Sequence, residues 1–333
     1  VTPRPNDLLV YRPEGLYCPP AGVYIDPLRA VDRALITHGH SDHARWGHRS
    51  YLCTAQALPA IRSRLGDINA QTVRFGETTV INGVRFSFHP AGHIPGSAQI
   101  RVEHQGQVWV ASGDYKLEDD GLSEPFEPVR CDVFITESTF GLPVYQWRPQ
   151  GEVFAEINAW WRENREQGKV SLLSCYSLGK AQRILRHLDT GIGPIYAHTA
   201  TETLNQVLRK QGYALPDAQR VTSDSGGKMY AGSLVLAPPA TLDSSWARRF
   251  KSVSVGVTSG WMAMRGTRRR ETVDRGFILS DHADWPGLNE AVKATGAGRV
   301  LVTHGYAETF AKWLCEQGLD AEAAGAHFQR EES

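Results

Sequence analysis

Leu35-Ile36-Thr37-His38-Gly39-His40-Ser41-Asp42-His43 is the stretch on which the reading of this chain turns. Ala34, Leu35 and Ile36 make a short apolar run of the kind that forms a buried strand. Four candidate metal ligands follow within six residues, separated only by Gly39 and Ser41. Imidazole and carboxylate together suit Zn²⁺ or Mn²⁺. His38 and His40 can serve one ion, while the adjacent Asp42 and His43 can turn toward a second. A hexapeptide completes neither shell, so the rest of the chain has to supply more ligands.

The pattern of a strand running into a ligand-type residue recurs outward from this stretch. Upstream, Val23-Tyr24-Ile25 closes on Asp26 before Pro27, which makes Asp26 either a turn residue or a carboxylate behind a ligating histidine. Downstream, Tyr51 to Thr54 reads as a strand, and Ala55 to Leu65 has helical spacing with Gly66 as its stop. Val80-Ile81, Asn82-Gly83 and Val84 to Phe88 make a hairpin around the strongest short turn signal. That hairpin leads to Gly92-His93-Ile94-Pro95-Gly96-Ser97, and the next one ends in Ser112-Gly113-Asp114. Later strands end on Glu137, on Ser280-Asp281-His282-Ala283-Asp284, and on Thr303-His304-Gly305. On this pattern His38, His40 and His93 hold one ion, Asp42, His43 and His304 hold the other, and Asp114 bridges them. Two such ions, roughly 3.5–4 Å apart, activate a water and clamp the attacking and leaving oxygens of a displacement.

Bulk properties frame this chemistry. A 333-residue chain with 41% hydrophobic and 22% charged residues has room for two domains and a sizeable core. Five cysteines, with no C-x-x-C pair, indicate neither a zinc ribbon nor a disulfide framework and point to a reducing cytoplasm. No apolar run approaches the roughly 20 residues of a membrane span, so no membrane partner is expected. The formal net charge of zero does not by itself announce a nucleic-acid binder. Basic residues do cluster locally, at Arg62 and Arg64, Arg248 to Lys251 and Arg265 to Arg270, and gathered along a groove they would track phosphates.

From about residue 142 the texture becomes an alternation of strand and helix. Helical spacing over 152–167, 178–188 and 202–211 alternates with apolar strands over 169–175, 194–198, 233–237 and 252–258. The organisation read from this is a metal-binding α/β scaffold, 1–141 and 260–333, interrupted by an α/β insertion over 142–259. The tail from Ala321 onward is small and polar and carries no signal. Ser177-Leu178-Gly179-Lys180 satisfies a serine β-lactamase pattern but lacks its partner motifs, and it is read as the start of a helix.

The constellation resembles the metallo-β-lactamase fold superfamily: His38-Gly39-His40-Ser41-Asp42-His43 matches its HxHxDH signature, His93 its third ligand motif, Asp114 its bridging carboxylate and Asp26 its early strand-end Asp. Within it, Thr136-Glu137-Ser138, Ser280 to Asp284 and Thr303-His304-Gly305 resemble the three further motifs of the β-CASP nuclease branch, and Tyr176 to Gln182 is similar to a recurrent helix start in that branch's cap. The resemblance implies an αββα sandwich with an inserted α/β cap domain. It also implies two divalent ions and hydrolysis of phosphodiesters in nucleic acid, with Asp42, Glu137 and His282 catalytic. His282 would meet the scissile phosphate or protonate the leaving oxygen, and Glu137 would orient it. Ser280, Lys228 and Arg265 are candidate substrate contacts.

The whole-chain texture most resembles bacterial ligase-associated DNA exonucleases. That implies DNA as substrate in repair, a lean toward 5′→3′ polarity, and an ATP-dependent DNA ligase and a helicase as partners. A histidine at the position of His304 goes in that branch with RNA enzymes, so an RNA nuclease is the second expectation. A thioester or lactam hydrolase is a third.

Overall fold

Short β-segments closed by glycine or proline turns build the first part of the chain. A computed structural model describes residues 4–222, 227–264 and 273–324. Among these, β1 (Val10–Arg12), β2 (Gly15–Cys18), β3 (Val23–Ile25), β4 (Arg33–Leu35), β5 (Ser50–Thr54) and β6 (Ala70–Val73) form one sheet in sequential order. β3 to β6 run parallel, and helix α1 (Leu58–Leu65), ended by Gly66, links the last two. β7 (Thr78–Ile81), β8 (Val84–Pro90), β9 (Ala98–His104), β10 (Gln107–Ala111) and β11 (Val133–Glu137) begin a second sheet, antiparallel up to β10. The Asn82-Gly83 turn joins β7 to β8, with Asn82 at φ 49°.

The insertion folds on its own sheet. Helices α2 (Gln150–Glu166), α3 (Lys180–His187) and α4 (Thr199–Lys210) alternate with β12 (Val170–Ser174), β13 (Ile195–Ala197), β14 (Gln219–Arg220), β15 (Leu234–Ala237), β16 (Val253–Thr258) and β17 (Arg275–Phe277). Every pairing in the order β14-β13-β15-β12-β16-β17 is parallel. The central strands β12 and β15 are buried along their whole length, as strands covered on both faces must be. Trp160 and Trp161 of α2 pack into this unit, their indoles donating to Ser254 Oγ and the Gly232 carbonyl.

The chain then returns as helix α5 (Trp285–Thr295), β18 (Arg299–Thr303), helix α6 (Ala307–Glu316) and β19 (Asp320–Ala323). The second sheet is completed in the order β19-β18-β11-β10-β9-β8-β7. A buried cluster containing Leu16, Val23, Ile25 and Leu35 of the first sheet together with Phe86, Phe88, Ile100 and Val102 of the second shows the two sheets facing each other. The opposite face of the first sheet packs on α1 through Ala34, Tyr51 and Ile61. The opposite face of the second packs on α5 and α6 through Phe134, Val300, Leu288 and Phe310.

Two compact units result, Val1–Gln146 with His282–Glu332, and Trp147–Asp281. The sequence placed the junctions at 141/142 and 259/260. Residues 260–281 group with the insertion because β17 extends its sheet beside β16. The tail read as uninformative contains β19, which pairs with β18 through backbone groups and so leaves little side-chain signal. Among the described residues no helix is long and apolar enough to cross a membrane.

Candidate metal centre

All the residues singled out as ligands lie in the first unit, at the ends of strands. β3 ends at Ile25 and hands on to Asp26; β4 leads through Ile36 into His38; β10 leads to Asp114; β11 ends at Glu137; β18 ends at Thr303, before His304. After His38 the chain turns sharply, with the His43 and Ala44 amides donating to the His40 carbonyl. Arg64 of α1 holds this turn, donating to the Gly39 carbonyl at 2.6 Å and reaching the Ala44 carbonyl at 3.4 Å.

His38, His40, His93 and Asp114 converge on one point, each offering one ligand atom within 4.8 Å of the others. His40 Nδ1 stands 3.2 Å from His38 Nε2 and 3.1 Å from His93 Nε2, and Asp114 Oδ2 lies 3.4 Å from His38 Nε2 and 3.8 Å from His93 Nε2. Four ligands at ~2.0–2.1 Å from a tetrahedral ion stand about 3.3 Å from one another. The spacing therefore fits an ion at the centre.

Asp42, His43 and Asp114 form a second such group sharing the Asp114 carboxylate. His43 Nε2 is buried and makes no hydrogen bond, although Asp114 Oδ2 is 3.3 Å away and Asp42 Oδ2 3.4 Å. A buried nitrogen without a hydrogen bond, aimed between two carboxylates, is the donor that a cation completes. His304 stacks its ring on His43 at 5.7 Å, but its nitrogens are outside this group of mutually close ligand atoms. A third group joins Asp114 to Glu137 and His282.

A layer of supporting contacts surrounds these groups. Asp26 accepts from the Thr37 amide (2.8 Å) and hydroxyl (2.5 Å), and its Oδ2 meets His43 Nδ1 at 2.7 Å. Thr37 Oγ1 also meets His38 Nδ1 at 3.0 Å. With Nδ1 turned toward Asp26, Nε2 of His43 faces the second group, where it can bind an ion once its own proton has left. Glu137 accepts from the Tyr115 amide at 2.8 Å and the Thr139 hydroxyl at 2.6 Å, and meets His282 Nδ1 at 2.8 Å. The same geometry fixes the His282 ring.

Backbone strain collects here. Asp26 and His304 adopt positive φ of 43° and 55°, a conformation that costs non-glycine residues and is held only where surroundings impose it. For His304 the restraint is Ser138, whose hydroxyl donates to the His304 carbonyl at 2.6 Å. Gly305 is required beside it: at φ 56° a Cβ would lie 2.3 Å from the Ser138 carbonyl oxygen.

Charge follows from burial and neighbours. Burial holds the His38 imidazole well below the usual histidine range, and it also lowers His304. Burial works against charging His43 as well, but Asp114, Asp42 and Asp26 outweigh it and hold that ring well above the usual range. Asp114 stays low against its burial because His43 and His282 face it, and Asp42 stays low against its own because of His43. Burial pushes Glu137 up, with His282 pulling the other way.

No family model matches the chain. Over 321 residues, 95% of the chain, it is 34% identical to a protein of Opitutus terrae named a probable DNA ligase, of which the match spans 31%. Over 198 residues it is 32% identical to an endoribonuclease of Yarrowia lipolytica, covering 49% of this chain and 24% of that one. These similarities support the resemblance to the β-CASP nuclease branch of the metallo-β-lactamase fold. The chain matches only 31% and 24% of the length of those relatives. A solved structure of a protein of unknown function from Enterococcus faecalis shares its fold, with a TM-score of 0.56 at 9% identity over 81% of this chain and 74% of that one.

Of the three candidate substrate contacts, Ser280 is 3% exposed and its carbonyl accepts from Arg183 at 2.6 Å. Arg265 lies outside the described residues, as does the side chain of Lys228. The ligand groups are also supported by residues that sequence reasoning passed over: Thr37, Tyr115, Thr139 and Arg64. Only Thr37 and Thr139 carried a signal, standing beside ligand-type residues at strand ends. Tyr115 acts through its amide and Arg64 reaches in from 21 residues beyond His43, so side-chain pattern could not announce either.

Proposed function

We propose that this chain is a two-metal-dependent phosphodiesterase acting on DNA ends, a nuclease whose work accompanies strand sealing. The observation that carries the reading is the convergence of two ligand groups and the Glu137–His282 pair on the single carboxylate of Asp114. His38, His40, His93 and Asp114 would hold one divalent ion, and Asp42, His43 and Asp114, with His304 alongside, the other; Zn²⁺ and Mn²⁺ both suit the donors. Bound there, such ions supply charge neutralisation and an activated water for phosphodiester hydrolysis. Asp26 keeps the His43 lone pair turned inward. Glu137 holds the His282 proton on Nδ1 and the ring in place, so that His282 binds the scissile phosphate or delivers a proton to the departing oxygen. Asp42 completes the anionic wall that sets the second ion. The layering of α1, two facing sheets, α5 and α6 supports an αββα sandwich, and the unit Trp147–Asp281 is assigned as the cap.

Similarity along 95% of the chain to a protein named a probable DNA ligase supports DNA as the substrate and an ATP-dependent ligase as partner, with a helicase by the same family resemblance. We lean toward a 5′→3′ exonuclease. A second reading, an RNA nuclease, is favoured by the endoribonuclease relative and by His304. Matched DNA and RNA single strands, labelled at either end and incubated with Mn²⁺ or Zn²⁺, separate the two. Release of mononucleotides from DNA supports the first reading, and cleavage confined to RNA overturns it in favour of the second.

A further inference from the structure

The outer face of the first sheet is only partly covered. Cross-strand register places Tyr17 opposite Tyr24 and Tyr24 opposite Ala34, which in turn faces Tyr51, so these residues share one face. Helix α1 buries that face over Ala34 and Tyr51 but leaves it open over Tyr24 and Tyr17. The two tyrosine ring centroids lie 4.6 Å apart with the rings tilted by 41°, and the exposed Arg12 guanidinium sits 3.7 Å from the Tyr17 ring centroid, so aromatic and cationic faces are gathered at one place. Tyr17 and Tyr24 line a groove of about 590 Å³ whose rim carries the exposed Arg33 and Arg49. With Glu14 and Asp32 also on the rim, Arg12, Arg33 and Arg49 leave the surface net positive.

The groove is tied to the metal centre by the chain itself. Tyr24 precedes Asp26 by two residues, about 7 Å of extended strand. Gly47 and Arg49 come from the loop that follows His43, and Trp46 on that loop is 76% exposed. The loop does not owe its shape to this indole: Tyr51 OH donates to the Arg45 carbonyl at 2.9 Å and accepts the His48 amide at 3.1 Å. Burying Trp46 is not part of folding, and an exposed tryptophan between arginines is a surface suited to stacking.

We propose that this groove, with Trp46, is a binding track for unpaired nucleotides of a single-stranded substrate leading to the metal centre. Planar aromatic and guanidinium faces stack bases without regard to sequence, and flanking arginines meet the phosphates between them. The inference rests on the nuclease reading above and specifies where its substrate is held.

Its test is a binding measurement that does not use catalysis. A fluorescein-labelled 15-nucleotide single strand is titrated with full-length protein in chelator, and anisotropy is read. Relative to wild type, Arg33→Glu/Arg49→Glu is expected to weaken binding at least tenfold and Trp46→Ala about fivefold. Arg85→Glu, an exposed arginine on β8 of the other sheet, is expected to stay within twofold. Affinity in Arg33→Glu/Arg49→Glu equal to that of Arg85→Glu, with unchanged circular dichroism, overturns the track and leaves the nuclease reading standing. That reading fails separately if wild-type protein with Mn²⁺ or Zn²⁺ cleaves neither DNA nor RNA.

Discussion

Replacing Asp26 by Asn tests how the second metal group is built. Asp26 presents acceptors to three donors: the Thr37 amide at 2.8 Å, the Thr37 hydroxyl at 2.5 Å and His43 Nδ1 at 2.7 Å. An amide cannot satisfy all three. If its NH₂ takes the place of Oδ2, it faces His43 Nδ1 and favours the tautomer with the proton on Nε2, where the metal would bind. If it takes the place of Oδ1, it faces the Thr37 N–H, donor against donor. Either way a buried donor loses its partner at about 1–3 kcal/mol, which in metal affinity corresponds to the 10–100-fold loss typical of such outer ligands.

The backbone does not object, because asparagine tolerates the positive φ of 43° at this position at least as well as aspartate. The first group, His38, His40, His93 and Asp114, feels the change only indirectly, through the Thr37 hydroxyl that meets His38 Nδ1. Titration of metal-free protein with Zn²⁺ against a chromophoric chelator should therefore show one site of wild-type affinity and a second weakened 10–100-fold. Two sites of unchanged affinity would refute the role assigned to Asp26.

Other consequences can be checked directly. Glu137→Gln and His282→Ala should each lower cleavage by about 10²–10⁴-fold while the metal content by elemental analysis stays at the wild-type value. Because His43 is held above the usual histidine range in the metal-free protein, it is protonated near neutral pH and must release that proton to bind an ion. Affinity at the second group should therefore rise with pH through this raised range, and calorimetry in buffers of different ionisation enthalpy should show net proton release; its absence at pH 7 would contradict the charge assignment. Gly305→Ala places a Cβ 2.3 Å from the Ser138 carbonyl at φ 56° and should cost roughly 1–3 kcal/mol or more, read as a lowered midpoint in urea. Dialysis against chelator should abolish cleavage, and Mn²⁺ or Zn²⁺ should restore it.

The ligand-type residues and their strand-end settings are legible in the chain because the chemistry that holds an ion is local in type and spacing. His38 to His43 announces metal binding by itself, and the alternation after residue 142 announces a parallel sheet because each strand there is apolar along its length. What the residues between could not say is how distant strand ends meet. Parallel register sets Glu137 beside Thr303 and so carries His304 next to Ser138, an outcome of backbone pairing between strands 166 residues apart. Likewise β19 joins the sheet through its backbone, which leaves no side-chain periodicity to read.

The tertiary structure alone decided the finer arrangement. Asp114 belongs to all three groups, and Asp26 and Thr37 stand behind His43 and His38. His304 stacks its ring on His43 beside the second group. Those assignments depend on distances of a few tenths of an ångström and on which side chains lose their water. Sequence specifies the donors, and only the packed fold fixes where their lone pairs cross.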